Sequence, residues 1–575
     1  VTASGSNPHF GPGGRIYLQE RNESAQGRGS STAVTQLVSV DRNGQDKRAV
    51  AQAEFASAMR LSPDGNYVAF INQFQLHVAA RSHFGEMIDL DAAKPAFMVR
   101  KASAVGATYI AWSPDSTEIS WSVGADFKTV AVQELMAQGY ETPESGNNLS
   151  MQIEHAVPES SVALTNARVI TMDATRSVIE NATVLIAGNR IQSIESGGAV
   201  PSGYEVVDLA GKTLMPGIVD AHAHGPYAAD DIIPQQNWNL LAHLALGVTT
   251  VHNPSSSAKS AFAAAEYARA GRILGPRIFS TGEIVYGAKS TSWAPIDDLD
   301  DALAHVRRLA AQGAISIKNY NQPRREQRQQ VIEAARQEGL LSVAEGGSLY
   351  QLDMSMIADG ITGIEHNVPT LKMYDDVHQF WQQSGAGYTP TLVVTYGGLT
   401  SEDYFYQHTD VWKHPILSNF VPPAQLQARS VRRVSAPEEE YRDDDAAAAA
   451  KVLMDAGIMV NIGAHGQREG LASHWEMWSF ARGGFSPMEA LATATINPAR
   501  YLGMDKDIGS LEQGKLADLV IIDANPLDDI RNTDRISHVM INGRLYRAEN
   551  LGEEVTGASE LTPFHWQTTP QGKIR

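Results

Sequence analysis

The stretch GIVDAHAHG, residues 217–225, is a short apolar run that ends in a His-x-His pair. Alternate residues of a β-strand point to the same side, so His222 and His224 can reach one metal ion from the end of such a strand. Imidazole nitrogens suit zinc and related divalent metals. A polar cluster without metal would use the same residues, so the surrounding sequence has to decide between the two interpretations.

The composition limits the classes of protein that fit this chain. Its 575 residues exceed what one hydrophobic core supports, so several domains are expected. The net charge of −19 argues against nucleic-acid binding through bulk electrostatics. No apolar run approaches the ~20 residues of a membrane span. The chain contains no cysteine, which excludes disulfides and zinc–thiolate sites.

Short apolar strands alternate with helical patterns from residue 216 onwards. The eight predicted strands cover residues 217–224, 247–252, 277–281, 314–318, 341–345, 363–366, 388–394 and 458–463. Eight such βα units are typical of a (β/α)8 TIM barrel, which carries its chemistry at the carboxyl ends of the strands. We therefore predict a barrel over residues 216–502. The β-rich segments 158–215 and 503–560 flank it and predict one β-sandwich assembled from both sides.

A repeat of 51 residues marks the first part of the chain, with Pro12, Pro63 and Pro114 in three similar turn motifs. Each motif is a turn followed by alternating, β-favouring residues, and a fixed period of this length is typical of propeller blades. Three hairpin turns in a β-sandwich are the alternative. We predict an incomplete propeller over residues 1–157. Because a closed propeller needs four to eight blades, further blades are expected upstream of Val1 or from another chain.

The repeat motifs resemble the blades of the TolB family of periplasmic β-propellers. That resemblance implies an exported, periplasmic protein. The propeller would then offer a surface for contact with a second copy of the chain or with another envelope protein.

The beginning and the end of the predicted barrel region together resemble the amidohydrolase superfamily. The matching stretches are PGIVDAHAH at residues 216–224, NPAR at 497–500 and GSLEQGKLADLV at 509–520. The likeness covers roughly residues 162–547 and is closest to the prolidase- and imidazolonepropionase-like group. It implies a metal-dependent hydrolase with a water nucleophile and one or two divalent ions, with zinc as the expected metal.

The resemblance also implies which residues hold the metal. The implied ligands are His222, His224, Lys318, Glu345, His366 and His465. At the place of Lys318 the family often has a carboxylated lysine that bridges two metals. The alternative is a salt-bridged or substrate-binding cation.

Two positions depart from the family pattern, because Glu345 stands where histidine is usual and His465 where aspartate is usual. Glu345 can bind a metal through oxygen or contact the substrate. His465 can be a metal ligand or the base that moves the proton, since an imidazole titrates near neutrality. Lys318, Glu345 and His465 are thus also the candidate catalytic residues. His252, His474 and Glu476 are expected around the site rather than in it.

A long connection, residues 396–445, follows the predicted seventh strand. It contains Tyr404, Phe405, Tyr406, Trp412 and Phe420. Connections of this length often act as lids or binding elements, and an insertion that packs against the propeller is the alternative. The acidic run at residues 438–445 predicts the start of a helix, where carboxylates favour the helix dipole.

These observations predict hydrolysis of an amide-like carbon–nitrogen bond in a small molecule or a peptide, for example a cyclic amide. A carboxylesterase or lactonase would use the same site. A non-catalytic envelope binding or scaffold protein is the alternative outside enzymes, and the unusual Glu345 and His465 favour it.

Overall fold

The computed structural model describes residues 5–25, 31–82, 87–90, 98–142, 146–229, 232–290, 292–346, 349–430, 432–557 and 560–568. The other residues are distributed over all three predicted domains, and the parts of those predictions that fall on them lie outside the described residues. The chain divides into two compact units. One comprises Val1–Gln152 and Glu283–Ser342, and the other comprises Ile153–Gly282 and Val343–Arg575.

The described residues of the N-terminal segment of the first unit, Val1–Gln152, form three sheets, which are antiparallel except for one short parallel strand, Ile88–Asp89. The first sheet is formed by Ser6–Phe10, Ile16–Ala25, Ser31–Val40, Arg48–Glu54 and Ile88–Asp89. The second is formed by Ala56–Leu61, Tyr67–Asn72, Gln75–Ala80 and Val99–Lys101. The third is formed by Thr108–Trp112, Glu118–Val123, Asp126–Ala131 and Asn147–Asn148.

Pro12, Pro63 and Pro114 lie at the same place in the three sheets, in the turn between the first and second strands. The turns at Pro63 and Pro114 are closed by equivalent backbone hydrogen bonds, each spanning three residues, such as the one from Gly65 to Ser62 at 2.9 Å. Among the described residues no sheet closes on itself. The TolB-like propeller is therefore not confirmed and stays a prediction.

The remaining elements of the first unit alternate between strand and helix. They are Val132–Leu135, Val285–Tyr286, Leu299–Gln312, Ser316–Tyr320, Arg325–Gln337 and the start of Leu341–Glu345, besides the 3-10 turn Pro12–Gly14. The helix Leu299–Gln312 begins where the Asp298 side chain accepts a hydrogen bond from the Asp301 amide, 3.0 Å away. It contacts the N-terminal sheets through Arg308, whose guanidinium lies 3.9 Å from the centre of the Phe74 ring.

In the second unit, one eight-stranded sheet joins the two segments that flank the predicted barrel. Its strands are Ser161–Ile170, Val178–Ala187, Arg190–Ser196, Glu205–Asp208, Thr213–Pro216, Leu519–Ile522, Ile536–Ile541 and Arg544–Arg547. Thr213–Pro216 pairs antiparallel with Leu519–Ile522 and so connects the two segments. Val169, Leu214, Leu519 and Met540 share one buried core.

The predicted barrel strands of the second unit pair in parallel. One sheet consists of the strands Ile218–Asp220, Val248–Asn253 and Arg277–Ser280. In a second group, the strand Gly363–Glu365 pairs with the end of Leu341–Glu345 on one side and with Gly387–Thr389 on the other. Its helices are Trp238–Ala245, Ala258–Arg269, Tyr350–Ala358, Asp375–Ser384, Ser401–His408, Leu417–Phe420, Pro423–Gln427, Asp443–Asp455, Leu471–Arg482, Pro487–Thr493, Ile496–Tyr501 and His565–Thr568, with 3-10 turns Leu392–Val394, Val411–Lys413, Glu438–Glu440 and Ile530–Asp534.

The predicted seventh and eighth strands are shorter than the sequence suggests. The seventh ends at Thr389, because Thr391 adopts a left-handed backbone with φ of 56° and a 3-10 turn, Leu392–Val394, follows. The predicted strand at residues 458–463 is reduced to one bridge between Tyr388 and Val460. The prediction from apolar residues therefore overestimated the length of both strands. The predicted helix start in the acidic run is confirmed, since three aspartates occupy the first turn of Asp443–Asp455.

The long connection after the seventh strand is mostly packed rather than open. Tyr404, Phe405 and Tyr406 lie on the helix Ser401–His408 and are buried. Phe405 stacks on Trp475 with ring centres 5.5 Å apart, so the segment packs against the helix that follows the eighth strand position. This packing is that of an insertion within the second unit. The role of the segment as a lid or binding element stays a prediction. Among the described residues, no helix has the length and hydrophobicity needed to cross a bilayer.

Candidate metal centre

Three imidazoles converge at the carboxyl end of the strand Ile218–Asp220. His222 and His224 follow that strand directly, and His465 follows the segment that bridges at Val460. One nitrogen from each ring lies within 4.8 Å of the other two. The His222 Nε2 and His224 Nε2 atoms are 3.2 Å apart. The structure thus brings together three of the six predicted ligands as a compact triad.

The backbone under the triad is held by the carboxylate of Asp220. This buried group accepts hydrogen bonds from the amides of His222 and Ala464, both at 3.1 Å, and from the Ser473 hydroxyl at 2.9 Å. Burial raises the pKa of Asp220 to about 6, although these hydrogen bonds act in the opposite direction. The His465 amide also donates to the His222 carbonyl oxygen at 2.6 Å. Asp220 therefore fixes the two ligand-bearing segments to each other.

Two further side chains orient the imidazoles of the first strand. A carboxylate oxygen of Glu365 lies 3.2 Å from His222 Nδ1, and both side chains are fully buried. The Asn253 side-chain oxygen lies 3.0 Å from His224 Nδ1. Partners of this kind commonly fix the orientation of metal-binding histidines by occupying the nitrogen that does not face the metal. Both Nε2 atoms are then left facing the triad.

His366 and His465 both have left-handed backbones, with φ of 69° and 59°. Such conformations cost free energy for residues other than glycine and occur mostly where the surrounding structure enforces them, often at functional sites. The His366 amide donates to the Thr389 carbonyl oxygen at 2.8 Å, which fixes the turn. Gly466 follows with φ of 75°, where a Cβ atom would collide with the His224 carbonyl oxygen.

His366 lies beside the triad. The centre of its ring is 5.0 Å from that of His222 and 5.1 Å from that of His465. Glu345 is aligned with Glu365 on the neighbouring parallel strand. Glu365 is the residue that directly precedes His366 in the sequence. These two predicted ligands therefore lie at the edge of the same centre.

Lys318 belongs to the first unit, where it lies on the strand Ser316–Tyr320. Its side chain is buried, with Nζ 5.3 Å from the centre of the Tyr320 ring. The predicted carboxylation of Lys318 and its bridging of two metals stay predictions.

The geometry of the triad fits a zinc-like ion. Tetrahedral coordination with zinc–nitrogen bonds of about 2.0–2.1 Å separates two ligand nitrogens by about 3.3–3.4 Å, close to the 3.2 Å between His222 Nε2 and His224 Nε2. Three protein ligands and one open position are typical of catalytic zinc sites. His222, His224 and His465 would hold the ion, and His366 and Glu345 lie at the edge of the triad.

The three residues expected around the site make structural hydrogen bonds. His252 Nδ1 and His474 Nε2 each lie 2.9 Å from a backbone carbonyl oxygen, and burial lowers the pKa of His474 to about 4. Glu476 accepts from the Val393 amide at 2.7 Å and, more weakly, from the Gly463 amide at 3.4 Å. Burial raises the pKa of Glu476 well above its ordinary value. Glu476 thus supports the turn before His465.

Sequence reasoning missed Asp220, Asn253 and Glu365. Asp220 stands two residues before His222, and Glu365 directly precedes His366, so a search for carboxylates next to predicted ligands would have found both. Asn253 had no such signal, because its role depends on the pairing of two strands.

Comparison with known protein families matches a region that includes the whole predicted barrel. A sequence model of the amidohydrolase family matches residues 213–546. A 5-methylthioadenosine/S-adenosylhomocysteine deaminase of Moorella thermoacetica is 23% identical over 412 residues, which cover 64% of this chain and 91% of the relative. An imidazolonepropionase of an Arthrobacter species is 41% identical over 71 residues, or 12% of this chain and 18% of the relative.

Solved structures are similar to about two thirds of this chain. A crystal structure of an Xaa-Pro dipeptidase with bound methionine in the active site covers 68% of this chain and 100% of its own chain, with a TM-score of 0.52 and 22% identity. This likeness concerns the fold, and it supports a TIM-barrel-type domain accompanied by an N-terminal sheet-rich domain.

Proposed function

The chain belongs to the amidohydrolase family and is a hydrolase that acts on carbon–nitrogen bonds, and we propose that it cleaves an amide bond of a peptide or of a cyclic amide with the help of a divalent metal. The observation that carries this proposal is the convergence of His222, His224 and His465 within 4.8 Å. Because the family assignment makes the chain an enzyme, the scaffold alternative is not supported.

A divalent ion bound by the triad would lower the pKa of a coordinated water towards neutrality and polarise the carbonyl of the substrate. The chain's own residues set the geometry for this chemistry. Glu365 and Asn253 hold the rings of His222 and His224, and Asp220 holds the backbone of both ligand segments. The site is therefore organised before the substrate arrives, which is what electrostatic catalysis requires.

We assign His465 to the ligand set, since its ring nitrogen lies within the compact triad. In that role its metal-facing nitrogen is not available as a base. Proton transfer from the attacking water to the leaving nitrogen then falls to Glu345, the carboxylate at the end of the neighbouring strand. A carboxylated Lys318 and a second metal ion are part of the proposal and rest on the family resemblance.

The experiment measures metal content and hydrolysis on the same preparations. The purified protein is stripped with a chelator, reloaded with zinc, manganese or cobalt, and assayed with Xaa-Pro dipeptides, other dipeptides and cyclic amides. The relatives named an imidazolonepropionase and an Xaa-Pro dipeptidase motivate this choice. We expect turnover only after reloading. Faster hydrolysis of simple carboxylic esters or lactones than of any amide would instead favour the esterase alternative.

His222→Ala tests the triad directly. We expect it to lose bound metal and all turnover while the far-ultraviolet circular dichroism stays unchanged. His155→Ala is the matched control, because His155 is exposed. Full metal occupancy with normal turnover in His222→Ala would refute the assignment.

A periplasmic location and a propeller made from the N-terminal repeats also belong to the proposal. The repeat period and the equivalent positions of Pro12, Pro63 and Pro114 support it. Fractionation of the native host cell, with the enzyme detected by antibody, tests the location. Native mass spectrometry tests whether a second copy or an envelope protein binds.

A further inference from the structure

Tyr396 stands directly over one of the predicted ligands. Its ring stacks on that of His366, with centres 5.3 Å apart and planes 21° from parallel. Asn367, the residue after His366, accepts a hydrogen bond from the Tyr396 amide at 2.7 Å and donates one to the Tyr396 carbonyl oxygen at 3.4 Å. The backbone of Tyr396 is thus held on both sides, so the position of its ring relative to His366 is fixed.

The hydroxyl of this tyrosine is available for a ligand. Within the described part of the chain it makes no hydrogen bond, and the residue is only half-buried. A phenolic hydroxyl ordinarily titrates at a pH of about 10, so it keeps its proton at neutral pH and can donate a hydrogen bond.

We propose that Tyr396 contacts the substrate and that its hydroxyl donates a hydrogen bond to the carbonyl oxygen of the scissile amide. The His366 ring that it covers lies 5.0 Å from His222 and 5.1 Å from His465, so Tyr396 is one ring away from the triad. Tyr404 and Tyr406, by contrast, are buried in the helical insertion. The inference rests on the proposed function, because it needs a carbonyl substrate at the triad.

The hydrogen bond becomes stronger as the reaction proceeds. When the water oxygen bonds to the carbonyl carbon, the π-electron pair of the carbonyl moves to its oxygen, which becomes an oxyanion. Tyr396 stabilises that charge and keeps its own proton. When the oxyanion re-forms the carbonyl, the carbon–nitrogen bond breaks and the nitrogen takes up the proton that the water has lost. A donor aimed at such an oxyanion typically accelerates the reaction by about 10²–10³-fold.

Tyr396→Phe separates the hydroxyl from the ring, since phenylalanine keeps the stacking on His366. We expect kcat/KM to fall by about 10²–10³-fold, mainly through kcat, with unchanged metal content. Tyr374→Phe is the matched control because Tyr374 is exposed, and it should behave as the wild type. Wild-type kcat/KM in Tyr396→Phe would overturn the proposal and leave Tyr396 as a packing residue.

A binding measurement keeps this test separate from that of the proposed function. Methylphosphonate presents a tetrahedral anion that resembles the oxyanion, and acetate presents a planar one. In calorimetry on zinc-loaded protein, we expect Tyr396→Phe to weaken methylphosphonate binding at least about tenfold and acetate binding less. If the wild type hydrolyses no amide, the proposed function fails, and the phosphonate result still decides on Tyr396. Equal phosphonate affinities in the two proteins would overturn its role.

Discussion

The N-terminal sheets and the metal centre differ in how far apart in the sequence their hydrogen-bonded residues lie. In the sheets, contacts recur between residues 52 positions apart, such as the amide of Leu61 with His9 Nε2 at 3.3 Å and the amide of Asp64 with the Ser116 hydroxyl at 3.0 Å. In the metal centre, one hydrogen bond joins residues 244 positions apart, from Ala464 to Asp220. Each hydrogen bond between repeats is one of several similar bonds in the sheets. In the metal centre, no other residue can replace a ligand or the residue that supports it. Damage should therefore be local in the sheets and complete in the centre.

The largest effect is expected for His465→Asn, which tests whether the centre depends on every member. If His465 is a ligand, bound metal and turnover should fall together. If it is a free base, turnover should fall by about 10²–10⁴-fold while metal content stays nearly unchanged. Inductively coupled plasma mass spectrometry and kinetics on the same sample separate the two roles. Normal metal and normal turnover would eliminate both and show that the centre tolerates the loss of one member.

A second prediction concerns His474, which is buried in the same unit but makes only a structural hydrogen bond. Its folded-state pKa of about 4 lies below the ordinary value of 6.5. As the pH falls, His474 is therefore protonated in the unfolded chain before it is protonated in the folded protein. The contribution of the neutral His474 to the free energy of unfolding is fully present above pH 6.5. It is lost between pH 6.5 and 4, by at most about 3 kcal/mol.

Urea unfolding of metal-free protein at several pH values measures this contribution. His474→Gln cannot titrate, so its free energy of unfolding should fall less steeply than that of the wild type between pH 6.5 and 4. His305→Gln is the counterpart in the first unit, where burial, followed by the charge of Arg308, lowers the pKa of His305 to about 3. Parallel pH curves for the wild type and both variants would contradict the prediction.

An intermediate effect is expected for Glu365→Gln, which changes a partner of a ligand rather than a ligand. Glu365 lies 3.2 Å from His222 Nδ1, and glutamine keeps its shape but removes its charge. Replacing a group of this kind typically lowers metal affinity or activity by about 10–100-fold. Competition with a zinc chelator measures the affinity. An unchanged zinc affinity would mean that packing alone orients His222.

The smallest effect is expected in the sheets. Ser116→Ala removes the buried hydroxyl that accepts from the Asp64 amide, and the free energy of unfolding should fall by about 1 kcal/mol. Metal content and turnover should not change. Thermal unfolding monitored together with activity checks both parts. A loss of turnover comparable to that of Glu365→Gln would contradict the claim that damage in the sheets stays local.

Much of this architecture could be predicted from local patterns. The His-x-His pair follows an apolar strand as predicted, although the strand Ile218–Asp220 ends before the two histidines. The 51-residue period correctly placed Pro12, Pro63 and Pro114 in equivalent turns, because turn chemistry is a property of a few adjacent residues. The start of the helix Asp443–Asp455 followed from its aspartates in the same way.

The sequence by itself thus determined which residue types stand at the ends of strands, where turns recur and where helices begin. Only the tertiary structure decided that Asp220, Asn253 and Glu365 support the triad, that the seventh strand stops at Thr389 and that Tyr396 covers His366. The physical reason is the range of the interactions. Side-chain direction and turn preference depend on neighbours in the sequence, whereas partners and left-handed turns are set by segments that meet only when the chain is folded.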